Sequence, residues 1–69
     1  MNKELGELYK ELGRLSSYIK HGEYEFYYMY KGMLENELMY HKANMDFPPD
    51  DIIKFSNFAK VVFNMCEGD

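Results

Sequence analysis

Leu5, Leu8, Leu12, Leu15 and Ile19 recur at spacings of three, four, three and four, and this seam constrains the fold more than any other feature of the chain. Residues so spaced line one stripe of an α-helix, the a and d positions of a heptad, whereas a strand would scatter them over both faces. The rest of the segment carries both signs of charge, with Glu7 and Lys10, and Glu11 and Arg14, three apart and able to pair weakly. Asn2 is placed to cap the helix, and Glu4 falls in the first turn, where the helix dipole favours an acid. Gly6 and Gly13 each follow a seam leucine and cost up to about 1 kcal/mol apiece inside a helix. They read as tolerated surface positions rather than as points of close backbone approach.

Gly22 follows the seam at the distance of a helix C-cap, which predicts a turn near His21 and Gly22. The rival is one unbroken rod of about forty residues, in which Phe26, Met29, Met33 and Tyr40 stay in phase with the leucines; such a rod needs an oligomer to be stable. Long helices without caps are rare in small domains, so a hairpin is expected.

The next run, EYEFYYMY, places six aromatic or thioether side chains in eight positions. Tyrosine and phenylalanine favour strands. Yet the run passes without a turn signal into KGMLENELMYHKAN, whose Leu34, Leu38 and His41 continue a helical stripe begun by Tyr27 and Tyr30. KVVFNM is the only other strand-like run, and two strands make a poor sheet. A helix over 23–43 is therefore expected, with Tyr27, Tyr30, Leu34 and Leu38 in the core and Phe26, Met33 and Tyr40 on its flank. A further line, Tyr24, Tyr28 and Met39, lies roughly 80–100° from the main stripe at about 100° per residue. An apolar surface on all sides marks a buried helix, but two neighbours cannot cover every side of a third.

DFPPDD opens the third segment. Tandem prolines exclude helix before them and suit a first helical turn, where Asp50 and Asp51 meet the positive end of the dipole. Ile52, Phe55, Ala59, Val62 and Cys66 then repeat the three-four spacing, Phe58 and Phe63 widen the stripe, and Lys54, Asn57, Lys60 and Asn64 keep the far side wet. The expected fold is all-α: a small three-helix bundle in one domain over 1–69, a helical hairpin plus a C-terminal helix, with helices near 3–20, 23–43 and 49–66. A chain of 69 residues hides only about 60% of its unfolded surface, and Cys66 is its only cysteine, so no disulfide can staple it. Good helix packing, dimerisation or a partner must supply the difference.

The chemistry that the sequence excludes narrows its function. Glu37 and His41 share a face, but zinc wants three or four ligands, so His41 reads as paired to a glutamate and no metal is expected. Cys66, on an apolar stripe with no activating histidine, reads as a buried thiol. Glycine-rich phosphate loops are absent, and the many glutamates lack the deep cleft of a glycosidase. No catalytic residue and no cofactor are expected. Twelve acids against eight bases, net charge −4, argue against binding nucleic acid directly; an acidic mimic of DNA is a weaker reading, because lysines and Arg14 interrupt the acids. The lone cysteine, the charged start MNKELGEL and the lack of any apolar run near twenty residues predict a cytoplasmic setting off the membrane.

What remains is a non-catalytic interaction protein, a regulator or inhibitor of a larger protein. Tyr24, Tyr28 and Met39 are its expected contact line, since tyrosine and methionine are enriched where proteins meet. Glu23, Glu25 and Glu35 form a rim suited to a basic partner surface. The alternative is structural: the same stripe closes a homodimer of an adaptor or assembly subunit.

Overall fold

The computed structural model describes residues 3–68, and the leucine seam winds into α1 (Lys3–Lys20), followed by α2 (Tyr24–Ala43) and α3 (Pro49–Cys66). No strand forms among the described residues. The capping role expected of Asn2 lies outside them.

The chain breaks at Gly22 and forms a hairpin, not a rod. Gly22 takes φ 73°, a left-handed conformation open to glycine without a steric penalty. Its N–H donates to the Ile19 carbonyl at 3.1 Å and that of Glu23 to Tyr18 at 2.8 Å, the paired bonds of a Schellman motif. The end of α2 repeats the pattern. Met45 donates to the carbonyl of Lys42 at 3.2 Å and Asp46 to that of His41 at 3.0 Å, with Met45 itself at φ 56° where a side chain is strained. Pro48 and Pro49 then start α3 as their fixed φ allows, with Asp50 and Asp51 in the first turn.

α1 lies between the other two helices, packing against both, while α2 and α3 meet each other far less. That position follows from the seam: Leu5, Leu8, Leu12 and Leu15 are all buried. Tyr27 and Leu34 come to them from α2, and Ile52, Phe55 and Ala59 from α3, with Ile19, Leu38, Val62 and Phe63 half-buried around them. Tyr9 seals the α3 side, its ring 4.9 Å from Phe55 edge to face and 5.9 Å from Phe58. A side chain at Gly6 or Gly13 would meet no atom within 4 Å, so neither glycine serves a close approach.

Two core expectations need correction. Tyr30, expected in the core, is 38% exposed. It lies about 60° around the helix from Tyr27, on the side away from α3, and only α1 reaches it there. The facing position on the α3 side belongs to Lys31 instead. Conversely Phe47, to which no core role was given, is buried. It immediately precedes the Pro48 cap, with Ile52 at the fourth helical position, and both join the core; these are the two positions of a hydrophobic staple.

Candidate functional site

α2 presents a surface unlike that of either neighbour. Among the described residues, thirteen large apolar side chains stand exposed; eight belong to α2 and none to α1. The expected line is open: Tyr24 is 58%, Tyr28 55% and Met39 68% exposed. Glu23, Glu25 and Glu35 are exposed beside it. The opposite flank is richer than the sequence suggests, since Phe26, Met29, Met33 and Tyr40 are all about half open or more. The reason is topological. α1 and the end of α3 cover one side of α2, and among the described residues no other element packs on its back.

On the α1 side this flank runs into a groove. Tyr18 of α1 stacks on Tyr30 with ring centroids 5.4 Å apart and an interplanar angle of 14°, and Phe26 tilts against both. Beyond them Glu11, Arg14, Met33, Leu34 and Glu37 complete a recess of about 190 Å³. Glu11 and Glu37 face each other across it. Burial first, and then the nearby Glu37 carboxylate, raise the Glu11 carboxyl above its ordinary range; Arg14 opposes this in part, and Glu7 adds to it.

This pair has a measurable consequence. A carboxyl whose pKa is higher in the folded than in the unfolded chain binds its proton more tightly when folded, so stability falls as pH rises through that window. Glu11→Gln is therefore expected to raise the melting temperature at neutral pH. The gain should shrink towards nothing as pH is lowered through the ordinary carboxylate range, which thermal melts across a pH series will show.

The opposite side of α2 carries a polar tie with no signal in any local sequence pattern. The buried Tyr27 hydroxyl donates to Glu67 Oε2 at 2.7 Å, and Lys31 Nζ reaches the same oxygen at 2.6 Å while lying 4.7 Å from the Phe63 ring centroid. Burial and the adjoining carboxylate push the tyrosine well above its usual pKa. Lys31, then Tyr27, hold Glu67 below its own, so this tie is intact at neutral pH and weakens as pH falls through the lowered value. Its partners lie 40 and 36 residues apart, a separation that no local pattern encodes.

His41 is paired, but not to Glu37 as the helical spacing suggests. Its Nδ1 lies 2.8 Å from Asp46 Oδ2, and its ring lies 4.8 Å from that of Phe47. The Schellman turn folds Asp46 back over the last turn of α2, which brings it closer than a neighbour on the helix face. Glu4 joins them, and these three donors fall within 4.8 Å of one another, drawn from α1, α2 and the loop. The contact between His41 and Asp46 latches the loop to the end of α2. Cys66, expected to be buried, is half-buried against the core. An open apolar groove of about 890 Å³ lies at the α2–α3 corner, between Met45, Phe47 and Ile53.

Among the described residues, no helix is long and apolar enough to cross a membrane. Protein-family models, curated proteins and solved structures offer no match to the chain.

Proposed function

We propose that the chain is a small, non-catalytic protein-binding regulator or inhibitor that docks on a larger protein through the uncovered side of α2. The observation that carries this reading is the concentration of exposed aromatic and methionine side chains on that one helix. Scattered apolar residues are normal on a surface, whereas a contiguous patch with a polar rim marks an interaction site. Tyrosine and phenylalanine rings freeze few torsions when buried, and methionine adapts its shape to a partner. Tyr24, Tyr28 and Met39 form one edge of the contact, Met29, Met33 and Tyr40 its centre, and Glu23, Glu25 and Glu35 its acidic rim. A cytoplasmic setting suits the single thiol.

The test begins with capture of a partner by the tagged chain from its native host, followed by calorimetry of the purified pair. Met29→Ala/Met33→Ala is expected to weaken binding tenfold or more, as truncations at a contact centre do, and Tyr24→Ala/Tyr28→Ala, at the edge, to weaken it by a smaller but measurable factor. Ile53→Ala, on α3, should leave affinity unchanged. Full affinity in both α2 variants would overturn the proposal. So would a tight homodimer in sedimentation that these same variants dissociate, since the face would then be spent on a second copy.

A further inference from the structure

We propose that the groove between α1 and α2 receives an arginine side chain of the partner protein, its guanidinium held between Glu11 and Glu37 and its stem lying along Tyr18, Tyr30 and Met33. This inference rests on the docking face described above and specifies the chemistry of what docks there.

Charge complementarity selects the occupant. Two carboxyl groups on different helices are brought face to face, an arrangement that repels unless a proton or a cation lies between them. Arg14, which also lines the recess, offsets that only in part, because the carboxyl of Glu11 is still raised. Glu23 lies on the groove side of α2, while Glu25 and Glu35 lie farther round the helix; between residues 23 and 40 its only base is Lys31, which is committed to Glu67 on the other side of the helix. A second copy of the chain would set these same carboxylates against their own kind. A basic partner relieves the repulsion instead. Arginine fits better than lysine: its planar fork can donate to two carboxylates at once, and it stacks on aromatic faces. The recess of about 190 Å³ takes one side chain, not a segment of backbone.

The experiment needs no partner. The full chain, labelled for amide NMR, is titrated with N-acetyl-arginine amide and, in parallel, with the matching lysine and citrulline compounds; citrulline keeps the shape of arginine without its charge. Saturable shifts at Glu11, Tyr18, Tyr30 and Glu37 are expected with the arginine probe. Binding should be at least fivefold weaker with the citrulline probe. Glu11→Gln/Glu37→Gln should weaken the arginine probe tenfold, while Glu23→Gln/Glu25→Gln leaves it unchanged. The double glutamine variant removes a repulsion, so it should fold, which a melt will verify. Shifts that fail to saturate, that spread over every acidic residue, or that persist in the double variant would overturn the proposal, as would tighter binding of the lysine probe. Such a failure removes the arginine assignment alone, because the truncations at Met29 and Met33 test the docking face independently of Glu11.

Discussion

Tyr27→Ala is expected to cost about 3–5 kcal/mol, the range for losing a large buried aromatic. The whole stability of a 69-residue domain is roughly 3–10 kcal/mol, so this one truncation should leave a chain that is largely unfolded or close to it. Two losses combine. Tyr27 has no exposed surface, so its removal opens a cavity where α1, α2 and the end of α3 converge. Its hydroxyl also donates to Glu67, which ties α2 to the end of α3. Tyr27→Phe separates the two by keeping the ring and removing the donor, for about 1 kcal/mol. Tyr24→Ala and Tyr28→Ala, made on the same helix at open positions, should stay within about 0.5 kcal/mol of the parent. Urea titrations followed by far-UV circular dichroism will rank the four. If Tyr27→Ala melts like Tyr28→Ala, the helix is rotated relative to its neighbours and the uncovered face is misplaced with it.

Leu12→Ala is expected to rank second, at about 2–5 kcal/mol. Leu12 is 1% exposed and sits mid-seam on the one helix that packs against both others. A cavity there loosens two interfaces at once. In a domain of this length each lost kcal/mol lowers the melting temperature by about 4–8 °C. Leu38→Ala, at a half-buried position, should cost distinctly less, and Met39→Ala, on the open surface, close to nothing. Equal losses at Leu12 and Leu38 would mean that α1 is not the shared support of the bundle.

The fold was legible because its determinants are local. The three-four spacing of the leucines, the glycine at the end of α1 and the tandem prolines ahead of α3 each act within a few residues. Phe47 was legible too, through its staple position before Pro48 and ahead of Ile52, but a loop phenylalanine is easily left out of the core. The candidate site was legible only by subtraction, as apolar surface in excess of what two neighbours can cover. Tyr24, Tyr28 and Met39 followed from that reasoning. The comparable exposure of Met29, Met33 and Tyr40, and the place of Tyr30 at the groove, did not. A wheel drawn from sequence fixes the angles between residues but not which angle meets a neighbour.

The sequence by itself therefore determined where helices begin and end and which stripe of α1 and α3 turns inward, since hydrogen bonding, backbone freedom and apolar periodicity act along the chain. For α2 the stripe of Tyr27, Leu34 and Leu38 was also legible, but only the tertiary structure decided how far each flank is covered and that Tyr30 stays partly open, because apolar residues on several sides do not show where a neighbour ends. The same holds for contacts across distant segments. Glu67 met Tyr27 and Lys31, Asp46 displaced Glu37 as the partner of His41, and Glu37 was left facing Glu11. Those juxtapositions arise from how the helices cross and how the turns close, which no spacing within a single segment can express.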